Sequence, residues 1–248
     1  MNCNHFNVGS TALDFPSPLL QGTLIKRYKR FLADIRLDNG EIITAHCANP
    51  GAMLGLKEPG LPVWLSKSDN PKRKLQYSWE LTEVDGHLVG INTALPNRIV
   101  AEALHNKQIK ELAAYDEIRP EVKYGDKSRI DFLLTGDGLP DCYVEVKNVH
   151  LLRQGSMAEF PDSKTARGAK HLMELGNMVA QGHRAVNLYL VQRTDCTQFS
   201  FASDLDPAYA KGAETALNAG VEFLCYDCTI NQTKICLNHP LPILPVKR

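Results

Sequence analysis

Asp131, Glu145 and Lys147 are the residues whose types and spacing point to chemistry. Asp131 stands in Ser128-Arg129-Ile130-Asp131-Phe132-Leu133-Leu134, and Glu145 and Lys147 stand in Cys142-Tyr143-Val144-Glu145-Val146-Lys147-Asn148-Val149. Both runs are apolar and rich in strand formers. Gly136, Asp137, Gly138 and Pro140 lie between them, which predicts a β-hairpin. Residues two apart on a strand share a face, so Glu145 and Lys147 should point the same way. An Asp, a Glu and a Lys on one sheet face can hold a divalent cation and activate a water, the D…E-x-K arrangement of metal-dependent phosphodiesterases. The alternative is a solvated acid–base pair. The apolar flanks argue against an ordinary wet face, because ionised groups are seldom buried without a partner or a metal.

That chemistry assigns roles. Asp131 and Glu145 would ligate Mg²⁺ (or Mn²⁺), and the Val146 carbonyl would complete the protein's share of an oxygen-only shell. Lys147 would orient or deprotonate the attacking water, the latter only if burial beside a cation lowers its pKa. A preceding helix opens at Pro96-Asn97 and carries Glu102 between Ala101 and Ala103. Glu102 is either a further acid for a second metal or a metal-bound water, or an exposed helix glutamate.

A second group of residues suggests what would be cleaved or bound. Lys26-Arg27-Tyr28-Lys29-Arg30 places four cations around an aromatic, and Lys72-Arg73-Lys74 adds three more after Ser68-Asp69-Asn70-Pro71. On a continuous strand, Lys26, Tyr28 and Arg30 would share one face and Arg27 and Lys29 the other. Such clusters contact phosphates, or they line a solvated strand edge where lysine blocks aggregation. Tyr28, Phe31, Trp64, Tyr77 and Trp79 are candidate stacking aromatics, or simply core.

The bulk numbers constrain less. The 248 residues suffice for one large domain or two smaller ones. Lys plus Arg equals Asp plus Glu, 28 against 28, so nucleic-acid binding must come from local patches rather than net charge. Seven cysteines at irregular spacing, a polar start and no membrane-length apolar run suggest a cytoplasmic protein with reduced thiols and no membrane partner. Cys225 and Cys228 lie in a strand-like run where residues three apart face opposite sides, so they read as buried thiols rather than a zinc knuckle. His46 and Cys47 are adjacent on a strand, so His46 is poorly placed to activate Cys47.

The elements that must position these residues fall into two halves. Residues 1 to about 14 read as a loose leader. Strands are expected over 24–37, 41–47, 62–66, 76–83 and 87–92, the count of a small OB-like barrel. After residue 93 the pattern becomes helix, a strand at 117–124, the hairpin of Asp131 and Glu145, and a helix over 163–181 capped by Asp162 or Ser163. A strand at 185–192, a helix over 207–219 closed by Gly220 and a strand at 221–226 follow. The order αβββαβαβ implies a mixed sheet covered by helices on both faces and is the order around the active site of restriction-endonuclease-like folds. The fold class is therefore mixed α+β: an OB-like barrel over 1–93, then a PD-(D/E)xK α/β domain over 94–248.

Several long words in one order resemble the sugar fermentation stimulation protein A family. They are Arg27-Tyr28-Lys29-Arg30-Phe31-Leu32-Ala33-Asp34, His46-Cys47-Ala48-Asn49-Pro50-Gly51-Ala52-Met53, Glu121-Val122-Lys123-Tyr124-Gly125, Tyr143-Val144-Glu145-Val146-Lys147 and Arg167-Gly168-Ala169-Lys170-His171-Leu172. The resemblance runs from about Pro18 to Pro242. It implies an OB-like domain joined to a nuclease-like domain and sequence-nonspecific DNA binding; the residues themselves leave RNA open as a partner beside DNA. The family name reflects an effect on sugar, notably maltose, utilisation, which keeps a non-catalytic DNA-binding regulator open beside a Mg²⁺-dependent nuclease. The family pattern differs at Ala48 and Pro50, in a loop, and at Ala169, where it usually carries Gln.

Overall fold

The computed structural model describes residues 13–15, 18–125 and 128–245; of the leader, 1–12 lie outside the described residues. Leu13–Asp14 form a short strand, β1, whose partner lies far along the chain. The next strands are β2 (Leu20–Tyr28), β3 (Leu32–Leu37), β4 (Ile42–Cys47), β5 (Pro62–Lys67), β6 (Tyr77–Val84) and β7 (His87–Gly90). They pair in the order β4-β3-β2-β5-β6-β7, and a parallel β4–β6 contact closes five of them into a barrel. Each strand sends alternate apolar side chains inward, so Leu24, Ile35, Ala45, Val63, Leu65 and Trp79 fill the interior. Gly22 marks a barrel corner: a Cβ there would lie 2.6 Å from Ile35 Cγ2 and 2.8 Å from the Arg36 carbonyl oxygen.

The single strand expected over 24–37 is two strands. It breaks at Lys29 and Arg30, whose φ angles are 47° and 63°, and Tyr28 pairs directly with Leu32 across the turn. No Gly, Asn or Asp marks this reversal, so it carries none of the usual hairpin chemistry. The expected sharing of faces by Tyr28 and Arg30 fails with it.

The second half begins with α1 (Pro96–His105) and a short 3₁₀ turn. It continues with β8 (Glu117–Tyr124), β9 (Ser128–Thr135), β10 (Cys142–Val149), β11 (Leu151–Leu152), β12 (Met157–Phe160), α2 (Ala166–Ala180), β13 (Arg184–Val191), β14 (Gln198–Phe201), α3 (Pro207–Asn218), β15 (Glu222–Ile230) and β16 (Lys234–Pro240). Seven strands make one mixed sheet in the order β1-β16-β15-β13-β10-β9-β8. Its central strands β10, β13 and β15 run parallel, as crossover helices require. β13 is almost wholly buried: Val186, Leu188 and Leu190 face α1, while Ala185, Tyr189 and Val191 face α2 and α3. Cys225 and Cys228 enter opposite cores, as their spacing requires.

Three features were not legible in the pattern. Leu13–Asp14 belong to the edge of this second sheet, pairing with Ile235 and Lys234, rather than to a loose leader of the barrel. The small sheet β11-β12-β14 and the closing strand β16 are additional. The cap of α2 is Thr165, whose hydroxyl accepts from Gly168 N at 3.0 Å; Asp162 is engaged elsewhere.

The barrel and the α/β sheet share a packed contact. Trp64 and Leu81 of the barrel join Leu95, the residue that caps α1, and Ile99 of α1 in one apolar cluster. The Gly90 N–H donates to the Gln192 carbonyl at 2.8 Å, and the Thr93 N–H to the Ala48 carbonyl at 3.0 Å. The Asp162 carboxylate accepts from Met53 N at 3.0 Å and contacts His150 Nε2 at 3.3 Å. Among the described residues no helix is long and apolar enough to cross a membrane.

Candidate active site

The site forms where the sheet comes apart. β9 and β10 pair at Leu134–Cys142, Leu133–Tyr143 and Phe132–Val144, and the ladder then stops. On the other side of β9, Pro120 pairs with Phe132 and Val122 with Ile130, while Glu121 between them takes a left-handed backbone, φ 55°. Asp131 is thus bracketed by irregularities on both neighbours. The pleat also inverts there: Phe132 packs in the α1-side core and Ile130 in the α2-side core, although residues two apart on a regular strand share a face. A carboxylate held at such an inversion reaches into the gap between strands. Its Oδ2 accepts from Val146 N at 2.7 Å, and its Oδ1 accepts from Asn97 Nδ2 at 2.7 Å.

Glu145 is nearly fully buried, with 3% exposure. Lys147 Nζ donates to its Oε1 at 2.6 Å, the contact expected of residues two apart on one strand face. His171 of α2 also meets Oε1 through Nδ1, and Lys147 Nζ lies 3.4 Å from the same ring nitrogen. Arg167, one turn before His171, directs its Nε to His171 Nε2 at 3.3 Å. Thr93, Ala94, Asn97, Thr165, Arg167 and His171 line one opening together with Asp131, Glu145, Val146 and Lys147.

The electrostatics follow from this crowding. Burial first, and then the Glu145 charge, push the Asp131 carboxyl up to about 6, against the hydrogen bonds from Val146 and Asn97. Burial also works to raise Glu145, but the His171 and Lys147 contacts outweigh it and hold Glu145 below its ordinary value. Glu145 thus stays ionised and opposes the ionisation of Asp131, a concentration of negative charge that suits a cation.

The donors fit a hard divalent ion. Glu145 Oε2 is buried and has no hydrogen-bond partner, which leaves one carboxylate oxygen unspent. A strand residue turns its N–H and C=O to the same edge, so Val146, whose N–H meets Asp131, presents its carbonyl on that edge too. Among the described residues no three His, Cys, Asp or Glu side chains gather as a metal cluster. The protein therefore offers two carboxylates and a carbonyl, a set suited to Mg²⁺, which keeps several of its waters.

Glu102 does not join this group. It lies five residues past Asn97, about 140° further round the helix. Its neighbours there are Asp14 and Arg98, and its charge acts on Cys236. Burial first, then the Asp14 charge, push its carboxyl up. The α1 residue that reaches the site is Asn97. Asn97, Arg167 and His171 were not singled out as site residues from the sequence, although Arg167 and His171 stand at i, i+4 spacing, which places them on one helix face.

The basic segments divide. Arg27 is a structural clamp: its Nη2 donates to the carbonyls of Asn49 at 2.7 Å and Gly51 at 3.1 Å. Tyr28 donates its hydroxyl to Asp34 at 3.0 Å, and Lys26 pairs with Asp34 at 3.4 Å while remaining 62% exposed. Lys29, Arg30, Lys72, Arg73 and Lys74 are exposed. Of the five candidate aromatics, Trp79 and Trp64 are core, Tyr28 and Tyr77 are half-buried, and Phe31 is exposed. Cys47 is buried with its sulfur 3.6 Å from that of Met53, while His46 faces outward.

Comparison with known proteins gives a consistent picture. Residues 25–91 match the model described as the SfsA N-terminal OB domain, and residues 94–234 match that of the sugar fermentation stimulation protein RE domain. The chain is 59% identical over 229 residues to a "Sugar fermentation stimulation protein homolog" of Ruegeria sp. (strain TM1040), covering 92% of this chain and 99% of the relative. A protein of the same name from Paramagnetospirillum magneticum is 59% identical over 227 residues, covering 92% and 96%. Among solved structures, Pyrococcus furiosus SfsA in complex with Ca²⁺ superposes with a TM-score of 0.85 at 25% identity, covering 94% of this chain and 99% of that one.

Proposed function

The chain belongs to the sugar fermentation stimulation protein family, and we propose that it is a sequence-nonspecific DNA-binding protein with a metal-dependent phosphodiesterase site. In this reading residues 1–93 chiefly bind and residues 94–248 cleave. The observation that carries it is that Asp131 and Glu145 line one opening at the point where the β9–β10 ladder stops. Two acids and a lysine are held in a polar opening there, and one buried carboxylate oxygen is left without a partner.

Asp131, Glu145 and the Val146 carbonyl would hold Mg²⁺ or Mn²⁺. A relative of the same fold is described with Ca²⁺, another hard ion that takes oxygen ligands. When bound, such an ion neutralises phosphate charge and lowers the pKa of a coordinated water. The chain's own residues do the rest. Asn97 and the Val146 N–H fix both oxygens of Asp131. His171 holds Glu145, and Arg167 braces His171. Lys147 places an ammonium beside Glu145, where it can orient a water toward phosphorus and stabilise the charge that builds on the phosphoryl oxygens.

Purified protein incubated with labelled DNA and RNA in Mg²⁺, Mn²⁺ or EDTA tests the proposal. Metal-dependent cleavage that disappears in Asp131→Ala supports it. Binding without cleavage of either nucleic acid in any of these metals leaves the second reading, a DNA-binding regulatory factor acting on sugar metabolism.

A further inference from the structure

We propose that Phe31 is a stacking platform for an unpaired base, and that the barrel selects single-stranded over double-stranded DNA. This rests on the DNA-binding reading above and deepens it. Phe31 is 46% exposed and is the sole aromatic among the large, exposed apolar side chains of the described residues. An exposed phenyl ring at the tip of a basic turn suits a ligand with both a negative backbone and free aromatic faces. Unpaired DNA has both; a duplex keeps its base faces stacked inside.

The platform is built rigidly. Lys29 and Arg30 hold left-handed backbones, φ 47° and 63°, a conformation that long side chains rarely adopt and that tends to mark functional positions. Arg27 locks the turn: its Nε donates to the Arg30 carbonyl at 3.1 Å, while its Nη2 reaches the carbonyls of Asn49 and Gly51. The Phe31 carbonyl accepts from Cys47 N at 2.8 Å. The Phe31 ring stacks on His46 with centroids 6.4 Å apart and planes 21° from parallel. His46 thus supports the ring, and the exposed part of the ring can take a base.

The second basic segment reaches the same place by another route. Arg73 Nη2 donates to Ser78 Oγ at 3.1 Å, and Ser78 pairs with His46 in the β4–β6 contact that closes the barrel. Arg73 is therefore brought to the strand beside His46, while Lys29 and Arg30 directly precede Phe31 in the chain. From His46 the chain runs two residues, about 7 Å, to Ala48. The Ala48 carbonyl accepts from both the N–H and the hydroxyl of Thr93, and Thr93 lines the opening that holds Asp131, Glu145 and Lys147. A strand gripped at Phe31 is thus led along this loop toward the acids.

Fluorescence anisotropy in EDTA tests the platform, with a labelled oligothymidine, a duplex of equal length and an oligouridine. Phe31→Ala should bind oligothymidine about tenfold more weakly, as expected on loss of one base–aromatic stack, with duplex binding changed less than about twofold. Phe31→Trp should bind as tightly as wild type, and a stacked base should quench its added, exposed indole. Met173→Ala, which removes an exposed side chain on α2, should bind like wild type. Unchanged oligothymidine binding in Phe31→Ala overturns the platform and leaves the DNA-binding reading standing. Equal losses for oligothymidine and duplex also overturn it, since the turn would then contribute only shape or charge. Tighter binding of oligouridine than of oligothymidine, with the same dependence on Phe31, overturns the assignment to DNA. Wild-type protein that binds none of the three sinks the DNA-binding reading itself.

Discussion

The carboxylate of Asp131 takes the place of a strand for Val146: its Oδ2 accepts the Val146 N–H at 2.7 Å, just beyond the last β9–β10 pair. The sheet opens without leaving that donor orphaned, and Asp131, Glu145 and Lys147 line the opening.

This arrangement costs stability as long as the proposed cation is absent. Asp131→Asn keeps the oxygen for Val146, and Asn97 can turn its amide to meet the new one, while the cost of burying the charge and then the repulsion with Glu145 disappear. Urea unfolding in EDTA at pH 7 should show Asp131→Asn more stable than wild type by about 2–3 kcal/mol, the scale of a pKa raised from 3.8 to about 6. Added Mg²⁺ should raise the wild-type midpoint and leave the variant unmoved. A variant less stable than wild type in EDTA would count against the site as described.

Cleavage should separate the acids. Asp131→Ala, Glu145→Ala and Lys147→Ala should each abolish Mg²⁺-dependent hydrolysis, with Lys147→Ala still binding metal, because an ammonium competes with the cation rather than holding it. Glu102→Gln should cleave like wild type, since Glu102 faces Asp14 and Cys236 instead of the opening. Equal residual activity in the three inactive variants would point to a contaminating nuclease.

The charged turn predicts a salt signature. Lys29→Glu with Arg30→Glu should weaken binding to all DNA sequences alike and lower the slope of log affinity against log salt by roughly 1–2. Affinity titrations at two or more salt concentrations read this directly. An unchanged slope would make the pair a solubility device.

Asp162 ties the barrel to the α/β domain and makes that tie sensitive to acid. Burial works to raise its carboxyl, but contacts with His150, Met53 N and Ser163 hold it down at about 2, against an ordinary 3.8. A carboxyl depressed on folding contributes stability that is full above about 4 and is lost as pH falls from about 4 to 2. Asp162→Asn should therefore cost about 2 kcal/mol at pH 6–7, and the deficit should shrink toward zero near pH 2. Urea midpoints of the two proteins at pH 6, 4 and 3 check it; a deficit independent of pH would mean that charge plays no part. Gly51 belongs to the same tie, because a Cβ there would lie 2.7 Å from Asp162 Oδ2.

The sequence by itself determined the class of the fold and set Lys147 beside Glu145. Alternating strands, helix periodicity and the Asp131…Glu145-x-Lys147 spacing are local properties, and the two-residue repeat of a strand is enough to set Lys147 beside Glu145. Tertiary structure decided what local rules cannot express. The Lys29–Phe31 turn lacks Gly or Asn and is held by Arg27 bonds to residues more than twenty positions away. The inversion of the pleat at Asp131 depends on Val146 and Asn97 from other elements. Which helix residue serves the site was set by how α1 packs on the sheet, so Asn97 faces Asp131 and Glu102 turns toward β1 and β16. Aromatic exposure also depends on barrel closure, which buries Trp79 and leaves Phe31 outside. Periodicity assigns a residue to a face; only packing decides what that face meets.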